Sequence, residues 1–281
     1  MTAAALLHPD VPPEAVASFR AIYPELSVVP DLKGIQGTHA ALIFGGDGTV
    51  HRYLGELYKH QIPALVVPKG SGNDFAKALG IADEQAALGA WNDFCVSGGK
   101  NVKEIDLGII KTGDLEALFC CVAGTGLDAA ANARANRMPA WLRGTGGYLL
   151  AALHSLVSFA PAEFSVDTDG RQIRRVGFFV AVGNAHRYGS GMKVAPRATL
   201  DDGLFDICFI GAMNKLKLLF AVPTIFFGAH LHIRQVEYFQ AQSVSIAAER
   251  PLDVYADGEY ICQTPAKLSL IPRALKVIVP S

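Results

Sequence analysis

The run Gly45-Gly46-Asp47-Gly48-Thr49 has the residue types of a phosphate cradle. It follows the apolar, strand-like residues 40–44 (AALIF) and opens a helical stretch over about residues 50–59, beginning at Val50. Gly45 and Gly46 let the backbone take a positive φ and let a ligand come close. Unpaired N–H groups at a helix start attract anions. Asp47 is the odd member, because a bare carboxylate repels phosphate. It makes sense if Mg²⁺ or a ribose hydroxyl stands between the two. Thr49 can cap the helix or bond a phosphate oxygen. A plain tight turn would also account for a lone Gly-Gly-Asp-Gly.

A second loop changes that balance. Residues 64–67 form another short apolar run, entered by Pro63 and left by Pro68, and Gly70-Ser71-Gly72-Asn73-Asp74-Phe75 follows. A helical segment then covers about residues 73–79. Strand, glycine loop and helix thus occur twice in succession. Crossovers of this kind build a parallel sheet whose ligands bind at the strand C-terminal ends, so both loops can face one ligand. Lys69 is either a cation for phosphate or an ordinary solvated lysine.

The elements that must position these loops are legible in outline. Residues 3–7 are a candidate strand and residues 13–23 a candidate helix with Pro13 in its first turn. After about Ile109 the pattern becomes β-rich. Apolar runs at 117–122, 164–166, 176–182, 204–210, 244–246 and 254–255 alternate with turn signals such as Asp202-Gly203 and Asp257-Gly258. Helical exceptions lie near 128–135, 148–159 and 216–227. This half reads as two packed sheets. The closing runs 266–271 and 275–279 either complete it or return to the first half.

Composition narrows the function classes. A chain of 281 residues favours two domains, and 51% apolar residues allow a sizeable core. The net charge of −1 gives no electrostatic case for nucleic-acid binding. The five cysteines, with no CxxC and no signal-peptide pattern, read as reduced thiols of a cytoplasmic protein. No stretch is long and apolar enough for a transmembrane segment. The nearest, residues 216–231, reads as a buried helix or as an element dipping into a membrane surface. Residues 134–143, with Arg134, Arg137, Arg143 and Trp141, also suit a membrane interface or a plain helix end. His230 and His232 read as structural.

GGDGTVH (45–51), PKGSGNDFAKALGI (68–81), VAGTGLDAA (122–130), GNAHRYGSGMKVAPRATLDDGLFD (183–206) and ADGEY (256–260) occur in this order. Together they resemble the diacylglycerol kinase catalytic family, which includes bacterial lipid kinases and sphingosine kinases. GGDGT alone is shared with NAD kinases and phosphofructokinases, and the ordered set is far more specific. The resemblance implies an α/β nucleotide-binding domain with a Rossmann-like parallel sheet, a β-rich sandwich-like second domain, and an active site in the cleft between them. The expected division is 1–108, with 268–281 returning to it, and 109–267.

The resemblance further implies ATP as phosphoryl donor, Mg²⁺, and a lipid alcohol drawn from a membrane surface by a peripherally associated protein. A homodimer is compatible with it. Carried over, Gly45, Gly46, Asp47, Gly48, Thr49 and Val50 hold phosphates. Gly70, Ser71, Gly72, Asn73 and Asp74 complete the nucleotide site. Asp257 and Glu259 form the acidic pair that contains the general base. In an extended segment both carboxylates would share one side. Asp202, with the carbonyls of Thr199 and Leu204, matches a structural metal site. Asp201-Asp202-Gly203 read alone is a turn. The family's opening Asn-Pro-x-Ser-Gly is here reduced to His8-Pro9. An NAD kinase-like enzyme and a non-catalytic lipid or nucleotide binder are the alternatives.

Overall fold

Strands β1 (Ala3–Leu7), β2 (Ser27–Val29), β3 (Ala40–Gly45) and β4 (Ala64–Pro68) pair in parallel in the order β2-β1-β3-β4. The computed structural model describes residues 2–32, 37–136, 154–189 and 191–281. It divides into two units, Met1–Asp106 with Pro272–Ser281, and Leu107–Ile271. In the first, the end of the last strand, β15 (Ala266–Ile278), adds to β4 in parallel through Val277 and Ala64. A parallel sheet carries helices on its faces, which is why β3 is apolar and buried at every position.

The helices of this unit are α1 (Ala17–Ile22), α2 (Asp47–His60), α3 (Asp74–Ala78) and α4 (Glu84–Ser97). A 3-10 turn over Pro13–Val16 precedes α1, so the expected single helix is two short pieces. The α2 helix packs on β3, and α4 on β4 and α1. Phe19 meets Phe44 edge-on at 5.0 Å, and the Trp91 indole N–H of α4 donates to the Phe19 carbonyl (3.3 Å). Sequence reading passed over α4. Its signals were present: the Asp83 carboxylate accepts from the Ala86 N–H (2.9 Å), and Gly98 closes the helix at φ +67°.

The second unit is antiparallel. Its strands are the part of β5 (Val102–Thr112) from Leu107 on, β6 (Leu115–Phe119), β7 (Val122–Gly126), β8 (Ala162–Thr168), β9 (Gln172–Gly183), β10 (Phe205–Gly211), β11 (Val236–Ala241), β12 (Ser243–Ala248), β13 (Asp253–Ala256) and β14 (Glu259–Gln263). The start of β15 also belongs here. The pairing order is β14-β13-β7-β9-β8-β12-β15, with β10 joining β9 to β11 and β5 pairing with β6 and β15. Helices α5 (Leu127–Asn136) and α6 (Lys215–Ile225) interrupt the strands. The core gathers Phe119, Phe164, Phe205 and Phe209 with Val180, Val182 and Ile207. Alternating inward residues supply it, as in β8.

Two expectations change here. The apolar run 117–122 is not one strand, because β6 ends at Phe119 and β7 starts at Val122. The closing runs 266–271 and 275–279 are one strand, β15, in which Arg273 takes φ +52°. The Asp106 carboxylate accepts the Arg273 N–H at that irregularity (2.8 Å), so the backbone group is not orphaned. The helix expected at 148–159 lies partly outside the described residues, and 154–158 are helical.

His230 is fully buried; its Nε2 lies 3.2 Å from the Val194 carbonyl and its Nδ1 has no partner among the described residues. Burial pushes its pKa down, and burial with Arg187 and Lys193 does the same for half-buried His186. Below about pH 6.5 the unfolded chain therefore binds more protons than the native one, so stability falls as pH falls. Each histidine adds at most about 1.4 kcal/mol per pH unit to that slope. His230→Gln, which keeps a donor for Val194, is expected to flatten the decline of melting temperature between pH 7.5 and 5.5. The His186 share should remain.

Candidate active site

The first glycine loop is built by the end of β3 and the start of α2. The N–H groups of Thr49 and Val50 donate to the Gly46 carbonyl (2.9 and 3.1 Å), and no side chain caps the helix. Thr49 therefore does not act as the cap. It is buried against Gly45, where a Cβ would come within 2.4 Å of its Oγ1. A helix of 14 residues with no side-chain cap presents its positive end to any anion at Gly46–Gly48.

The second loop lies directly against the first. The Lys69 N–H donates to the Gly45 carbonyl (3.0 Å). A Cβ on Gly70 would stand 2.6 Å from the Gly46 Cα, so the loops touch backbone to backbone. Asn73, at φ +54°, ties its loop by accepting from the Gly70 N–H (2.8 Å) and donating to the Gly70 carbonyl (2.7 Å). Asp47 joins the two loops: its carboxylate accepts from the N–H groups of Asp74 (3.1 Å) and Phe75 (2.9 Å) at the start of α3. The carboxylate that looked out of place thus holds the second loop against the first. Ser71 and Gly48 are exposed beside it, and Asp74 is buried. The exposed Lys69 ammonium pairs with Glu84 at the surface.

The acidic pair is arranged differently from the expectation. Asp257 (φ +50°) and Gly258 (φ +89°) are the two central residues of the β13–β14 hairpin, and Ala256 pairs with Glu259. Two left-handed residues make a type I′ turn, so the segment is not extended and the carboxylates do not share a strand face. The Asp257 carboxylate accepts from the N–H groups of Cys120 (2.8 Å), Cys121 (2.8 Å) and Val122 (3.2 Å), and its own N–H donates to the Val122 carbonyl (3.0 Å). It organises the bend between β6 and β7. Glu259 is exposed and has no hydrogen-bond partner among the described residues. Of the two, Glu259 has the carboxylate open to a reacting proton. The Cys120 and Cys121 sulfurs lie 3.9 Å apart beside Asp257.

Asp202 accepts from the Leu204 N–H (3.1 Å) and is exposed, as is Thr199. Gln240 donates to both Asp202 (3.5 Å) and the fully buried Asp206 (3.2 Å). Burial pushes the Asp206 pKa up, against the opposing hydrogen bonds of Tyr238 and Gln240. Sequence reading missed a further buried group. Asp128 of α5 accepts from the Tyr188 hydroxyl (2.6 Å) and from the Asn132 amide (3.4 Å). Both Asp128 and Tyr188 lie in the blocks quoted above, and only folding shows them in contact. Of the 134–143 segment, Arg134 is half-buried in α5 and residues 137–143 lie outside the described residues.

Residues 32–109 match the diacylglycerol kinase catalytic domain family, and residues 121–279 match the YegS C-terminal NAD kinase beta sandwich-like domain. The second match alone spans more than half of the chain. A diacylglycerol kinase of Mycobacterium tuberculosis (strain ATCC 25618 / H37Rv) is 37% identical over 247 residues, covering 87% of this chain and 78% of its own. The chain belongs to the diacylglycerol kinase/YegS family of lipid kinases. Asp47, Asp257 and Glu259 fall inside the matched stretches of this kinase family, whereas His8 and Pro9 precede both. The fold is also that of a diacylglycerol kinase from Bacillus anthracis str. Sterne (TM-score 0.73, 18% identity, 99% of this chain and 96% of that one). An NAD kinase from Archaeoglobus fulgidus, solved in complex with ATP, shares it more distantly (TM-score 0.57, 14% identity, 100% and 94%).

Proposed function

We propose that this kinase transfers the γ-phosphoryl group of ATP to the hydroxyl of a lipid alcohol, diacylglycerol or a close relative. The observation that carries the reading is the pair of glycine loops fused at Gly46 and Gly70 under an uncapped helix start. Phosphoryl transfer needs alignment and charge stabilisation more than covalent chemistry. The backbone of Gly45–Val50 and of Gly70–Asp74 binds the nucleotide phosphates. Asp47 keeps the two loops in register. Glu259 accepts the proton of the acceptor hydroxyl, and Asp257 positions the hairpin that presents it.

The donor set fits Mg²⁺, a hard cation that takes oxygen ligands. Asp47 already accepts the N–H groups of Asp74 and Phe75, and its carboxylate is of the hard oxygen type that Mg²⁺ takes. When bound with ATP, Mg²⁺ neutralises charge that develops on the phosphates. A structural cation at Asp202 would draw on the carbonyls of Thr199 and Leu204.

The test is transfer of label from γ-labelled ATP to a total lipid extract, with Glu259→Gln as control and NAD as rival acceptor. Labelled lipid from the wild type only is the expected result. Labelled NADP, or no labelled product in either case, would overturn the reading. Work at a membrane surface follows from the acceptor. Among the described residues no helix is long and apolar enough to cross a membrane.

A further inference from the structure

The helix α6 is apolar on two sides. It packs on the fold through Leu218, Ala221 and Ile225, spaced for one face. On the other side Leu216 is 66% exposed and Phe220 76%, and Phe227, just beyond the helix, is 83% exposed. Phe220 and Phe227 are the only exposed phenylalanines among the described residues. The Lys215 ammonium, at the start of the helix, donates to the carbonyl of the exposed Val157 (2.5 Å). Single exposed apolar side chains are ordinary, but Leu216 and Phe220 on one side of the helix, with Phe227 just past its end, mark a docking surface.

Charge identifies what docks there. Residues 212–234 contain no Asp or Glu, and they carry Lys215, Lys217 and Arg234. A second copy meeting this face about a two-fold axis would bring two acid-free, cationic stretches together. An anionic bilayer supplies the opposite sign, and its interface accepts Phe and Leu while Lys side chains reach the headgroups. We propose that α6 and Phe227 form the membrane-docking surface, with Leu216, Phe220 and Phe227 entering the interface of an anionic bilayer. The proposal rests on the lipid-kinase reading only for its reason to visit a membrane, because the binding itself needs no catalysis.

The experiment is co-sedimentation of the full chain with vesicles of phosphatidylcholine containing 30% phosphatidylglycerol, and with pure phosphatidylcholine. Wild type should bind the anionic vesicles at least tenfold more tightly than the neutral ones, and a Phe220→Ser/Phe227→Ser double variant should lose at least tenfold. Both sites are exposed, so the variant should melt like wild type. Its turnover of a short-chain acceptor dispersed in detergent should also match wild type. Unchanged vesicle binding would overturn the proposal, as would a concentration-dependent dimer that the double variant dissolves. Vesicle binding lost in the variant with no kinase activity in wild type would sink the lipid-kinase reading and leave the docking surface standing.

Discussion

Glu259→Gln is expected to lower kcat by about 10²–10⁴-fold, the usual contribution of a positioned general base, with ATP affinity within about twofold of wild type. The side chain is exposed and has no hydrogen-bond partner among the described residues, so the melting temperature should stay within about 1 °C. Asp257→Asn tests the same hairpin in another way. Its carboxylate accepts three backbone N–H groups. An amide offers one acceptor oxygen and turns two donors of its own toward those groups. A loss of about 2–4 kcal/mol of stability should accompany the loss of activity. Measured together, kcat and melting temperature separate the proton acceptor from the residue that positions it. Equal loss of stability in both variants would reverse the assignment.

Gly70→Ala should weaken nucleotide binding, raising KM for ATP by at least about tenfold. The added Cβ would lie 2.6 Å from the Gly46 Cα and 3.0 Å from the Asn73 Oδ1. The first neighbour is backbone, which cannot rotate away, so the loops must part. Parting them strains the Asp47 bonds to α3 as well. Gly89→Ala in α4 is the control. Nothing lies within 4 Å of its added Cβ, and alanine in a helix interior should stabilise by about 0.5–1 kcal/mol. Isothermal titration with an ATP analogue and thermal melts of both variants decide the matter. Wild-type affinity in Gly70→Ala would mean that the contact between the loops is dispensable.

Much of this was legible because it depends on local pattern. β1, β3 and β4 are short apolar runs bounded by turn residues, and the two loops repeat one strand–loop–helix order. What the pattern could not carry was partnership. Asp47 reads as a ligand-facing carboxylate because its partners, the Asp74 and Phe75 N–H groups, are 27 and 28 residues away. Asp257 reads as part of an extended pair because Asp-Gly fits both a strand end and a turn. Only its bonds to Cys120 and Cys121, more than 130 residues away, fix its role. The α4 helix escaped notice because its small residues Ala87, Ala90 and Gly89 give a weak apolar stripe. The exposed side of α6 was hidden for the opposite reason: a helix apolar all round reads as buried.

The split use of β15 has a consequence during synthesis. As the chain leaves the ribosome, β4 gains β3 at once, but its second neighbour includes Val277. The whole of residues 107–271 must emerge first. Until then the parallel sheet of the first unit has an open apolar edge, the kind of surface that recruits other strands. A nascent chain stalled before Pro272 should therefore occupy chaperones longer than one stalled after Ile278. The first unit, though first to be translated, is completed last.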